Sequence, residues 1–126
     1  MAVVLDASAL LTLFQQEPGA DQVGQHVRDG VISSVNFTEV VAKLLENGMP
    51  EAMIREHLRS FELHTVSFDV EQAYVAGLLR TRTMAFGLSL GDRSCLALAM
   101  KLGAPVLTGD RRWRELDLGI VVQVFR

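Results

Sequence analysis

The sequence has a single cysteine, Cys95, so no internal disulfide framework can form and no cluster of thiolates can hold zinc. Its three histidines, His26, His57 and His64, are scattered, and none has zinc-ligand spacing with another histidine or with Cys95. His57 falls on an apolar stripe and reads as a residue of the core's edge. No Walker loop, no G-x-G-x-x-G and no G-x-S-x-G occurs, so the usual phosphate cradles and the nucleophile elbow are missing. The apolar run from Ala7 to Phe14 is too short for a bilayer, which needs about 20 residues. Met1 to Leu5 reaches Asp6 without a basic residue, which is not a signal-peptide pattern. There is no Pro/Gly/Ser-rich linker, no low-complexity tract and no internal repeat. The expectation is one soluble, cytoplasmic domain over residues 1–126, with no membrane segment.

What is present suffices for a core. The hydrophobic fraction is 49% against 21% charged, far from the signature of disorder. The net charge of −3 conceals an asymmetry. Residues 1–79 carry 4 basic and 11 acidic groups, whereas residues 80–126 carry 8 basic and 4 acidic ones. A basic C-terminal third is either a surface for an anionic partner or a solvated face without one.

Short apolar runs alternate with helical patterns. Val3-Val4-Leu5, Val31-Ile32-Ser33, Leu63 to Val66, Val106-Leu107 and Ile120 to Val124 read as strands, the first as one buried on both faces. Helices are expected from Ala7 to about Phe14 and from Ala20 to Arg28. Another carries Phe37, Val40, Val41, Leu44 and Leu45 and is expected to be capped by Asn36. After Pro50 a further helix presents Met53, Ile54, His57, Leu58 and Phe61 on one stripe. The helix beginning at Asp69 and reaching about Thr83 is expected to turn Val70, Ala73, Tyr74, Gly77 and Leu78 inward. Phe86 to Gly91 reads as a loop, with the next helix starting near Gly91 or Asp92 and ending at Leu102. Arg111 to Leu116 makes one more helical turn. This alternation predicts a three-layer α/β/α sandwich around a mainly parallel sheet, with chemistry outside the carboxyl ends of the strands.

Acids stand at those ends. Asp6 follows the first strand directly, and Asp110 follows Val106-Leu107 after the turn Thr108-Gly109. Asp92 lies at a helix start on the face of Cys95, Leu96 and Ala99. Glu39 falls in the first turn of the helix after Val31-Ile32-Ser33. Each alone has a plain structural role as cap, dipole partner or turn residue. Together, four carboxylates converging on one edge repel each other, and a hard divalent cation such as Mg²⁺ relieves that repulsion through oxygen ligands. Arg93, Arg111, Arg112 and Arg114 flank the last two acids and suit phosphate binding, or else solvation. Trp113 can stack on a base or anchor its short helix.

Asp6-Ala7-Ser8-Ala9, Asn36-Phe37-Thr38-Glu39, Leu90-Gly91-Asp92 and Leu107-Thr108-Gly109-Asp110-Arg111-Arg112-Trp113 occur in this order. The whole resembles a PIN-domain ribonuclease of the small VapC-type toxin class over essentially its full length. The resemblance implies an α/β/α sandwich and a Mg²⁺- or Mn²⁺-dependent endoribonuclease, the toxin of a type II toxin–antitoxin pair. It assigns catalysis and metal binding to Asp6, Glu39, Asp92 and Asp110, with Ser8, Asn36 and Thr108 in support. It further implies an RNA substrate, a homodimer and a cognate antitoxin whose C-terminal segment enters the active-site groove. Gly109 stands where alanine is commoner in the family, a departure expected to cost nothing at a tight turn.

Other classes fit less well. A phosphoacceptor receiver domain needs an acidic pair after the first strand, an acid after a middle strand and a lysine near the last. Here Asp6 stands alone, and Lys43 and Lys101 lie within helices. A haloacid-dehalogenase-type phosphatase needs Asp-x-Asp, and Ser8 takes the second place. A non-catalytic protein-binding scaffold would not need all four acids.

Overall fold

Strands and helices alternate through residues 2–126, the part of the chain that the computed structural model describes. In chain order they are β1 (Val3–Leu5), α1 (Ala7–Gln15), α2 (Ala20–His26), β2 (Gly30–Ser33), α3 (Ser34–Glu46), α4 (Glu51–Ser60), β3 (His64–Val66), α5 (Val70–Thr83), α6 (Leu90–Leu102), β4 (Val106–Thr108) and β5 (Val122–Val124). The sheet runs β3-β2-β1-β4-β5, and every neighbouring pair is parallel.

Side-chain alternation along the strands separates the layers. Val4, Val31 and Val106 face one way and pack with Leu79 of α5 and Cys95, Leu96 and Ala99 of α6. Val3, Leu5 and Leu107 face the other way, against Ala9 of α1 and Val23 of α2. Ile32 joins them on that side, under Leu10, Val40, Leu44, Ile54 and Leu58 from α1, α3 and α4. Both faces of the parallel sheet are thus covered, as such sheets require. The expected three-layer α/β/α sandwich is the observed one. Among the described residues, no helix is long and apolar enough to cross a membrane.

Five local expectations are corrected. The cap of α3 is Ser33, whose Oγ accepts from Val35 N, and Asn36 lies one turn inside with its side chain buried. Helix α2 ends at His26, and a 3₁₀ turn takes Val27–Asp29. Helix α6 begins at Leu90, because a reciprocal pair of bonds between Ser89 and Asp92 caps it one residue early. The fourth concerns the phase of α5. Its inward residues are Gln72, Ala76, Leu79 and Thr83, while Val70, Tyr74 and Leu78 are 86%, 69% and 58% exposed. Polar anchors set that phase. Gln72 Nε2 donates to Ser67 O, and the buried Arg93 of α6 donates from Nη1 to Ala76 O. The small Ala76 faces α6 where a bulkier residue would hold the helices apart. On α4 the stripe is also narrower than its pattern, with Ile54 and Leu58 buried but Met53 exposed. His57 stacks on Phe14 at the core's edge, with ring centroids 5.8 Å apart.

Candidate active site

The strand order places the switch point of the sheet between β1 and β4, where successive connections depart to opposite sides. Open α/β sheets bind their ligands at such a crevice. Asp6 leaves β1 there and Thr108-Gly109-Asp110 leaves β4 there.

Asp6 caps α1, its Oδ1 accepting from Ala9 N at 2.9 Å and from Ser8 Oγ at 2.6 Å. Its Oδ2 accepts from Thr108 Oγ1 at 2.6 Å. The same hydroxyls reach onward: Ser8 Oγ accepts from Gly109 N and Thr108 Oγ1 from Asp110 N. The two strand ends are therefore stitched by one network, and Asp6 is oriented from both sides. Burial pushes the Asp6 carboxyl up from the usual range; the three hydrogen bonds oppose this, and the charge of Asp92 adds to it.

Asp92 is half-buried in the first turn of α6, with Oδ2 accepting from Ser89 N at 2.9 Å. Glu39 approaches the same turn from α3. Asn36 Nδ2 donates both to Glu39 Oε1 and to Gly91 O, at 2.8 and 2.9 Å, and so ties α3 to α6. The Glu39 carboxylate rests directly on Gly91, where any Cβ would collide with it. This close approach, in the first turn of α6, is the reason for glycine beside Asp92. Asn36 Oδ1 is buried without a partner among the described residues. Cys95 of α6 is wholly buried in the apolar core. Burial first, then the charges of Asp6, Asp92 and Glu39, push its thiol well above the usual range.

Asp110 is different. Its Oδ1 accepts from Arg112 N and Nε, and its Oδ2 from Arg112 Nη2 at 3.0 Å. The guanidinium holds the Asp110 carboxyl below its usual range. An open groove of about 630 Å³ brings together Asp6, Ser8, Asp92, Gly109, Asp110, Arg111, Arg112 and Arg126. Glu39 stands beside it at Gly91 rather than in its lining.

Arginines expected to flank the acids separate in space. Arg111 and Arg112 line the groove, and Arg114 is exposed outside its lining. Arg93 is buried between α5 and α6, where it closes the helix packing instead of meeting the groove. Trp113 is buried in the core beside Cys95 and Leu98, so it anchors its turn and offers no face to a base. Arg126 was missed, because no motif surrounds it in the sequence. The trace it left is Gly109. This glycine is not in the left-handed region, so the turn does not demand it. A Cβ there would stand 2.5 Å from Arg126 Nη2.

An oxygen-only donor set, with no histidine or available thiolate, suits a hard divalent cation. Among the described residues, no group of three or more His, Cys, Asp or Glu side chains could hold a metal ion as they stand. Mg²⁺ commonly takes only one or two carboxylates, with waters completing its shell.

No curated protein matches the chain significantly. Solved structures do match in fold. DNA-bound VapBC from Salmonella typhimurium aligns with a TM-score of 0.77 at 18% identity, covering 100% of this chain and 99% of that one. VapBC2 from Rickettsia felis, bound to a promoter DNA fragment, aligns at 0.75 and 15% identity, with 100% of both chains covered. A toxin–antitoxin complex from Klebsiella pneumoniae aligns at 0.74 and 18%, covering 95% and 96%. At these identities the likeness speaks for the fold alone. A family model describing the PIN domain matches residues 3–118 and takes in Asp6, Glu39, Asp92 and Asp110. With that match spanning most of its length, the chain belongs to the PIN-domain family.

Proposed function

We propose that the protein is a VapC-type toxin: a Mg²⁺- or Mn²⁺-dependent endoribonuclease that hydrolyses RNA phosphodiester bonds and is paired with an antitoxin. The observation that carries this reading is the groove at the β1–β4 switch point, with Asp6, Asp92 and Asp110 within it and arginines in the same lining. The toxin–antitoxin complexes among its structural relatives support the antitoxin partner. A homodimer, and action of residues 1–126 as one cytoplasmic domain, belong to the same reading.

Asp6, Glu39, Asp92 and Asp110 are the residues that would hold the cation. Such an ion, when bound, supplies an activated water and compensates charge building on the phosphate. The residues' own parts follow from their bonds. Ser8 and Thr108 fix both oxygens of Asp6, so that its orientation is set before anything binds. Asn36 holds Glu39 against Gly91. Arg111 and Arg112, of the arginines expected to contact RNA, line the groove and suit its backbone phosphates. No covalent nucleophile is required, and the buried, proton-retaining thiol of Cys95 could not serve as one.

Purified Asp6→Asn and Asp92→Asn should lose Mn²⁺-dependent cleavage of RNA; undiminished cleavage in both would sink the assignment. A non-catalytic protein-binding scaffold is the second reading, one that would not need all four acids. Metal titration separates the two. A nuclease gains thermal stability as Mg²⁺ or Mn²⁺ is added, by mass action, and a scaffold gains none.

A further inference from the structure

The groove's arginines differ in what their guanidinium groups are doing. Arg112 is committed to Asp110 through both of that carboxylate's oxygens. Arg111 donates from Nε to the Arg126 carbonyl at 3.0 Å. Among the described residues no carboxylate pairs with Arg126, although it lines a groove that contains three. Its position is nevertheless fixed. The guanidinium carbon sits 5.1 Å from the centre of the Phe125 ring. Phe125 is itself buried, and its amide donates to Thr108 O at 3.2 Å, so β5 runs straight out of the sheet into this contact. On its other side the guanidinium lies over Gly109, within 2.5–2.9 Å of where a Cβ would be.

We infer that Arg126 is a phosphate-binding residue of the groove, held there by the gap that Gly109 leaves, and that positions 109 and 126 act as one device. The inference rests on the ribonuclease reading, since it supplies that site with a contact to the RNA backbone. Three features carry it. The guanidinium has donors to spare and a planar fork suited to a phosphate's oxygens. It shares the groove lining with Asp6, Ser8 and Asp92, to which the ribonuclease reading brings the scissile phosphate. And glycine at 109 has no backbone reason, which leaves the room it makes for Arg126 as its structural consequence.

The test is binding of a short single-stranded RNA, labelled for fluorescence anisotropy, to the full chain in Ca²⁺ over a salt series. Arg126→Ala should weaken binding roughly fivefold, the loss of one partly exposed charge contact. It should also lower the slope of log affinity against log salt by about 0.7, the share of one single-strand phosphate. Arg126→Lys should keep most of that slope, a rescue that a merely structural role would not show. Gly109→Ala has to displace only the far end of a flexible side chain, so it should fold with an unchanged melting temperature yet reproduce the Arg126→Ala loss. The double variant should then bind no worse than either single one. Additive losses, or an Arg126→Ala slope equal to the parent's, overturn the inference while leaving the ribonuclease reading intact. A parent chain that binds Mn²⁺ but no RNA overturns the reading and the inference together.

Discussion

Asp6 and Asp110 leave neighbouring parallel strands at the same edge of the sheet, yet their carboxyl groups are driven in opposite directions. Asp6 is buried, and hydroxyl and amide donors that orient it do not outweigh its loss of water. Asp110 is only half-buried and has a guanidinium across both oxygens. The same residue type in equivalent strand-end positions becomes, in one case, a charge that burial disfavours. In the other it becomes a charge already neutralised from within. The difference comes from depth and partner, which strand position alone does not specify.

Several variants would break or sharpen this contrast. Asp6→Asn should lower cleavage on the order of 10²–10³-fold, the scale of a lost electrostatic element of a site. It should at the same time raise the melting temperature of the metal-free chain by about a few degrees, because a poorly solvated charge is gone. Asp110→Asn, whose charge Arg112 already shares, should cost about tenfold in cleavage and leave that melting temperature unchanged; equal penalties at the two positions would erase the distinction. Gly91→Ala should push the Glu39 carboxylate off the α6 backbone and weaken Mn²⁺ affinity by about tenfold, a typical cost of disturbing an outer ligand. Calorimetric titration reads that directly.

Smaller effects concern proton linkage. The folded pKa of Asp6 lies above its unfolded value, so the stability it contributes is full below about pH 4 and is lost as pH rises through the raised value. Asp110 has the opposite sign: its contribution is present above about pH 4 and is lost as pH falls through its lowered value. Melting curves of the metal-free chain should therefore lose stability on the alkaline side of this window. Asp6→Asn should abolish that loss, and saturating Mn²⁺ should mask it. Arg112→Ala should return the Asp110 carboxyl toward its ordinary range without a measurable change in melting temperature, as NMR titration of its side chain would report.

The strand-end acids were legible because an acid directly after a buried strand has few reasons to be there. The layers were legible because the apolar runs alternate with helical patterns. What was not legible depends on partners far away in sequence. On α5 the apolar residues Val70, Tyr74 and Leu78 outnumber those of the true inner face, and periodicity followed them. The phase is set instead by Arg93 reaching Ala76 O and by the buried Gln72, neither of which a hydrophobic pattern contains. Asn36 has the chemistry of a cap, but Ser33 fills that place and releases it to bridge Glu39 and Gly91. Arg93 adjoins Asp92 in sequence, yet helical geometry turns the two to different sides. Arg126 needed the strand pairing of β4 with β5 before it could be seen beside Asp6 at all.

Gly91 and Gly109 share a property that a screen for stability would overlook. At each, the space of an absent methyl is filled by the charged tip of a distant, flexible side chain, Glu39 in one case and Arg126 in the other. Alanine at either position is compatible with folding, because the tip can move away, and in α6 it even favours the helix. Selection for a folded chain is therefore blind to both glycines, and only selection for what the groove does can hold them. Among relatives, positions 109 and 126 should consequently drift as a pair: where a methyl appears at the first, the arginine at the second has lost its seat.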